Sequence, residues 1–273
     1  MSTLTIIQDK KERKINFEGE VSLSALLEDS HAHVDRPCGG KGSCRKCTVI
    51  VNGRAELACQ YILRGDATVI LPDKKEIVSV TGALETESPT ENLCLCLDIG
   101  TTTLALALVS LDDGQTVKVL TAKNPQRAFG ADVISRIDYC AKNGTDALQK
   151  CLIQRIREMI SSLLGRYSLT KIPRMYVAGN TTMLHLFLGV DCSSNGVSPY
   201  TPVFLGEKRV SGGEIGLSNI GEIITLPSIS AFVGADIVAG LGFVGAPEDS
   251  EKYSLLIDLG TNAEIVLFGR GKY

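Results

Sequence analysis

Neither sign of charge is in excess: 28 Lys and Arg stand against 31 Asp and Glu, a formal net charge of −3. Without a basic surplus there is no case for a nucleic-acid partner held through its phosphates, and no acidic tail is present. Residues 1–10 lack a basic start and a long apolar run, so no secretion signal is expected and the setting is read as cytoplasmic. A G-x4-GK[ST] phosphate loop is also missing. The run Gly240-Leu-Gly-Phe-Val-Gly245 matches G-x-G-x-x-G in form only. It closes an apparent helix over 230–239 and does not follow a strand, so dinucleotide binding is not expected. One apolar stretch, 93–111, has the length of a membrane span. It contains Asp98, Gly100 and three consecutive threonines, which favour a strand hairpin and make a lipid setting costly. No membrane association is expected. Apolar residues at 44% and charged residues at 22% suit a soluble protein of one to three domains.

Cysteine is the residue in surplus. Nine are present, and four of them, Cys38, Cys44, Cys47 and Cys59, lie close together. In a reducing compartment such density points to metal before disulfides. The spacing is C-x5-C-x2-C followed by x11-C, within Cys38-Gly-Gly-Lys-Gly-Ser-Cys-Arg-Lys-Cys47. Gly39, Gly40 and Gly42 let the loop wrap inward and turn N–H groups toward sulfur. Zinc sites more often show two C-x2-4-C knuckles, and only Cys44/Cys47 forms one here. A [2Fe–2S] cluster is the favoured reading, because the loop resembles the adrenodoxin-type variant of the ferredoxin spacing; zinc and no metal are the alternatives. His31 and His33 are read as solvated loop residues. Strands at 4–8, 13–17, 48–51 and 68–71 around a short helix at 21–28 resemble a β-grasp ferredoxin fold.

The polar stretch 79–92 reads as a linker. Beyond it Cys96-Leu-Asp-Ile-Gly-Thr-Thr-Thr103 recurs as Leu256-Ile-Asp-Leu-Gly-Thr-Asn-Ala263, each copy between apolar strands. In such a turn Gly lets a phosphate approach, the following N–H and hydroxyl groups donate to its oxygens, and Asp holds Mg²⁺ directly or through water. Two copies would clamp one nucleotide. The pair resembles the phosphate loops of the actin, Hsp70 and sugar kinase superfamily. Helices are expected over 131–141 and 146–167, the second with a buried stripe at Leu148, Leu152, Ile156, Met159, Ile160 and Leu163. Asn180 and Thr181 either face the cleft or cap a helix. Asp236 is a further candidate for the cleft, His185 is expected in the core, and the five remaining cysteines are expected to be small hydrophobes.

Together CGGKGSCRKC at 38–47, DIGTTT at 98–103, NPQRAFGADVISRI at 124–137, AGNTTMLHLFLG at 178–189, SAFVGAD at 230–236 and DLGTNAEIVL at 258–267 resemble the reductive activators of corrinoid-dependent methyltransferases. That resemblance implies a β-grasp ferredoxin domain (1–80), a linker (81–92) and an α/β ribonuclease H-like, actin-type region (93–273) with its second lobe largely missing. It implies a [2Fe–2S] cluster on Cys38, Cys44, Cys47 and Cys59. It implies Mg-ATP at Asp98, Gly100, Thr101, Thr102, Asp258, Gly260, Thr261 and Asn262. The partners implied are a corrinoid protein, returned from Co(II) to Co(I) in an ATP-dependent manner, and an upstream electron donor. Members of that family continue well past the second Asp-x-Gly-Thr turn. Two other readings stand beside this one. The first is an electron carrier with a non-catalytic nucleotide region. The second is a small-molecule kinase, which the cysteine loop disfavours.

Overall fold

The computed structural model describes residues 1–9, 11–30, 32, 34–36, 38–72, 78–80, 92–245, 252–260 and 262–269. His31, His33, Thr261 and nearly all of the linker lie outside the described residues. The chain divides into two compact units: Met1–Glu76 with Pro125–Tyr139, and Ile77–Asn124 with Cys140–Tyr273.

In the first unit, β1 (Ser2–Gln8) and β2 (Lys11–Phe17) form a hairpin. A two-residue β3 (Val21–Ser22) leads into α1 (Leu23–Asp29). Then come β4 (Thr48–Val51), β5 (Arg54–Leu57), β6 (Ile62–Leu63) and β7 (Ala67–Ile70). Five strands build one mixed sheet in the order β2-β1-β7-β4-β5, with β1 and β7 parallel. Alternation on β1 puts Leu4 and Ile6 inside, where they join Leu23 and Leu27 of α1 and Val49, Val51 and Val69. A fully buried Leu or Ile contributes about 1.5–3 kcal/mol, so this face is what holds the four-cysteine loop in place. The segment Pro125–Tyr139 is tied to itself by Arg136. Its fully buried guanidinium donates to the Gly130 carbonyl at 3.2 Å and to Oε1 of Gln126 at 3.3 Å.

The first strand of the second unit is β8 (Val78–Val80), which overlaps the start of the stretch read as linker at 79–92 and pairs with β11. β9 (Leu93–Ile99), β10 (Thr103–Ser110) and β11 (Thr116–Lys123) follow as an antiparallel meander. The 93–111 stretch is therefore a hairpin, as its threonines and Asp98 require. Among the described residues no helix is long and apolar enough to cross a membrane. After α2 (Val133–Asn143) and α3 (Asp146–Arg166) come β12 (Ile172–Gly179), α4 (Thr181–Leu188), β13 (Lys208–Ser211), β14 (Ile220–Thr225) and α5 (Ala235–Val244). β12 pairs parallel to β9, and β14 parallel to β12. The sheet runs β13-β14-β12-β9-β10-β11-β8, so its centre is a three-strand meander extended by parallel strands, as in a ribonuclease H-like lobe. The stripe expected on α3 is buried in full.

One helix boundary needs correction. α5 begins at Ala235, not 230, and Gly240 and Gly242 lie inside it. The G-x-G-x-x-G run is thus the last turns of a helix and its C-terminal cap at Gly245, not a phosphate-binding turn between a strand and a helix. Finally β15 (Ser254–Leu259) and β16 (Ala263–Phe268) form a separate two-stranded hairpin. One of its faces is apolar and exposed: Leu255 opposite Leu267, Ile257 opposite Ile265, and Leu259 opposite Ala263.

Candidate metal centre and nucleotide cleft

The loop between α1 and β4 carries three of the four clustered cysteines, and the turn after β5 carries the fourth. Their sulfurs stand in two pairs: Sγ of Cys38 and Cys44 are 3.3 Å apart, as are Sγ of Cys47 and Cys59. Around a tetrahedral metal with bonds of about 2.3 Å to sulfur, neighbouring sulfurs stand about 3.8 Å apart, so each pair is close to a bidentate site for one ion. Cys47 ties the pairs together. Burial pushes its thiol up, and the charges of Cys59 and Cys44 add to the rise, against a hydrogen bond from the Cys59 backbone. Among the described residues no three His, Cys, Asp or Glu side chains converge as one ion's ligand set. The pattern is two plus two, which suits a binuclear cluster with two thiolates on each iron.

The loop also supplies donors. Gly39, Gly40 and Gly42 take positive φ (64°, 85° and 76°), turning backbone N–H groups inward. Burial alone would raise the Cys38 thiol. Hydrogen bonds from the backbone and side chain of Cys44, from Ser43 and from the Gly42 backbone outweigh it and bring it down to about 6. A sulfur already held as thiolate by N–H donors is a ready ligand. Gln60 braces the loop, its amide donating to the Gly40 carbonyl at 2.7 Å.

Arg36 was missed as a functional residue, although it stands directly before the loop. Its guanidinium forms an ion pair with Glu28 of α1, and Nε donates to the Ala128 carbonyl at 3.2 Å. Burial lowers its pKa, while Tyr139, Cys59, Cys47 and Cys38 hold it up.

The second candidate site is a cleft of about 480 Å³ in the second unit. It is lined by Asp98, Gly100, Thr101, Thr102 and Thr103 from the β9–β10 turn, Asn180 from the start of α4, Asp236 from α5, and Asp258, Gly260, Asn262 and Glu264 from the β15–β16 hairpin. The two Asp-x-Gly-Thr turns therefore face one space. Of the expected nucleotide residues, Thr261 alone lies outside the described residues. The first turn is rigid. A Cβ on Gly100 would fall 2.5 Å from the Thr103 carbonyl oxygen, so only glycine fits. Buried Asn124 clamps the turn, its amide donating to the Gly100 carbonyl at 2.8 Å and its backbone N–H to that of Thr102 at 2.9 Å. Asn180 does both things expected of it as alternatives: it lines the cleft and caps α4, accepting from the Thr182 N–H at 3.0 Å. Gly234 makes that approach possible, since a Cβ there would sit 2.6 Å from the Asn180 Cα.

The cleft is crowded with negative charge. Asp98 is pushed up to about 6, first by desolvation, then by Asp236 and Asp258. Its own surface stays accessible, so the desolvation comes from the cleft walls and the carboxyl is not sealed off. Asp236 and Glu264 are raised as well, again chiefly by desolvation. Asp258 sits directly opposite Glu264 in the hairpin register, a like-charge pair that a sheet pays for unless something positive lies between. Glu264 was not foreseen; the hairpin register carries the signal, since a two-strand reading places it across from Asp258. His185 is in the core as expected, stacked on Phe204 at 4.2 Å. Cys94, Cys140, Cys151 and Cys192 are buried and Cys96 is half-buried. Burial pushes Cys96 up to about 12, as befits an inert thiol.

Two family models match the chain. Residues 6–68 match the 2Fe-2S iron-sulfur cluster binding domain, and residues 93–247 match the RACo middle region. A curated relative, the corrinoid activation enzyme RamQ of Eubacterium limosum, is 33% identical over 221 residues, covering 78% of this chain and 36% of its own length. In fold, a solved reductive activator for corrinoid, iron-sulfur protein superposes with a TM-score of 0.61 at 24% identity, over 97% of this chain and 61% of that one. The chain thus spans about a third of the curated relative and under two thirds of the solved one. With more than half of its length matched by the middle-region model, and a 2Fe-2S cluster binding domain ahead of it, the chain belongs to the RACo family.

Proposed function

We propose that this chain is the iron–sulfur and nucleotide-binding portion of a reductive activator, which returns a corrinoid protein from Co(II) to Co(I) in an ATP-dependent manner. In this reading Cys38 and Cys44 hold one iron and Cys47 and Cys59 the other. When bound, the cluster supplies one-electron carriage to cobalt. The chain's own part is to hold the Cys38 sulfur as thiolate, through the Cys44, Ser43 and Gly42 donors, and to bury Cys47 away from water. The observation that carries the reading is the two-by-two sulfur arrangement in a chain of this family. At the cleft, Asp98, Asp236, Asp258 and Glu264 call for a cation. The Thr101 and Thr102 hydroxyls and the Gly100 and Gly260 backbones offer the phosphate contacts, so Mg-ATP is the ligand that fits. Thr261 and Asn262 complete the second turn in this proposal. The domain reading places the cluster in 1–80 and the nucleotide in 93–273. The partners are a corrinoid protein and an upstream electron donor, and the setting is the cytoplasm, where free thiols persist.

The second reading is an electron carrier whose nucleotide region does not turn over ATP. The experiment is EPR of anaerobically purified, dithionite-reduced protein with iron counted, followed by reduction of a Co(II) corrinoid protein with and without ATP. Two irons per chain and ATP-stimulated appearance of Co(I) are expected. Iron without ATP stimulation leaves the carrier reading; zinc in place of iron overturns both.

A further inference from the structure

We propose that Arg36 is a positioning residue for electron transfer: its guanidinium, anchored two residues before the cluster ligand Cys38, raises the reduction potential of the cluster. The inference rests on the cluster reading above and deepens it.

Three observations carry it. Arg36 stands two residues before Cys38, and its charge interacts with Tyr139 and with the sulfurs of Cys59, Cys47 and Cys38. Its side chain is only 15% exposed, so water screens it weakly. And it is held from two directions, by Glu28 of α1 and by the Ala128 carbonyl at 3.2 Å, so it cannot swing out to solvent as a free arginine would. The other cations of the loop, Lys41, Arg45 and Lys46, are exposed, where water and salt weaken their field.

The chemistry is a single electron gained, with no bond made or broken and no proton required. Reduction adds one negative charge among sulfurs that are already anionic. A nearby fixed positive charge favours the more negative state, and guanidinium keeps its proton throughout the working pH range. Glu28 opposes Arg36, but it sits on α1, whereas Arg36 sits in the irregular segment that leads into the loop, two residues before Cys38. Removing Glu28 would leave the positive charge uncompensated.

The test is the midpoint potential of the intact protein, followed by visible absorption during anaerobic titration. Arg36→Gln should shift the reduction equilibrium about tenfold toward the oxidised form, which for one electron is a fall of about 59 mV. Glu28→Gln should move it upward. Arg36→Lys, which keeps the charge but loses the planar fork, should stay within about threefold of wild type. An Arg36→Gln protein with full iron and an unchanged midpoint overturns the proposal. Should Arg36→Gln fail to hold iron, an unchanged or lowered midpoint in Glu28→Gln overturns it instead. A wild-type protein without iron sinks the cluster reading itself, a result that iron analysis separates from any change in potential.

Discussion

Cys44 and Asp98 show how differently single residues can be legible. The cysteine announces itself through spacing, and three neighbouring glycines explain how its loop turns inward. Replacing it with serine should abolish the visible absorption of the purified protein; an unaltered spectrum would remove Cys44 from the ligand set. Asp98 also stands in a readable motif, but its electrostatic state depends on carboxylates contributed by α5 and the hairpin, far away in sequence. Its folded pKa of about 6 lies above the usual carboxylate range. The folded state therefore prefers it protonated, and the stability that preference gives is lost as pH rises from about 4 through about 6. Asp98→Asn should accordingly raise the melting temperature at pH 7.5 in the absence of nucleotide, with the gain fading toward pH 4. An equal gain at both pH values would show that charge crowding is not the cause. Arg36 and Glu264 were not legible as single letters, because the role of each rests on partners brought in by folding: Glu28 and Ala128 for the one, Asp258 for the other.

At the scale of elements, the strongly patterned pieces were readable and the weakly patterned ones were not. The β9–β10 hairpin and the α3 stripe follow from apolar alternation and 3.6-residue spacing. β13 and β14, with Lys208–Ser211 and the glycine-interrupted Ile220–Thr225, carry too little alternation to stand out. α5 was placed early because glycine disfavours helix interiors by about 1 kcal/mol, a local preference that its apolar sequence overrides. The β9–β10 turn gives the sharpest test of the cleft. Gly100→Ala forces a methyl group against the Thr103 carbonyl and should weaken Mg-nucleotide binding at least tenfold, measured by calorimetry; undiminished affinity would make the turn structural only. The β15–β16 hairpin makes a different prediction. Its exposed apolar face invites self-association. Leu255→Thr combined with Ile265→Thr should lower light scattering in concentrated samples, and no change would mean that the face is harmless in this chain.

For the molecule as a whole, the two kinds of chemistry were legible as two blocks of sequence, but the compact units do not follow a single cut. Pro125–Tyr139 belongs with Met1–Glu76, although it is encoded after β11. Nothing in the motif NPQRAFGADVISRI reveals this; its apolar positions read as an ordinary helix, and the Arg36–Ala128 hydrogen bond shows where it folds. A fragment ending at residue 80 lacks that carbonyl. Its cluster absorption should bleach at a lower temperature than that of the full chain, and equal bleaching temperatures would show that the segment adds nothing. The consequence reaches beyond stability to how such proteins can be recombined. A ferredoxin grafted from elsewhere onto this middle region would arrive without the loop it was selected with, and this one, moved elsewhere, would leave part of itself behind. The redox half is therefore a poor interchangeable cassette, and exchange between lineages should proceed by swapping both stretches together or not at all.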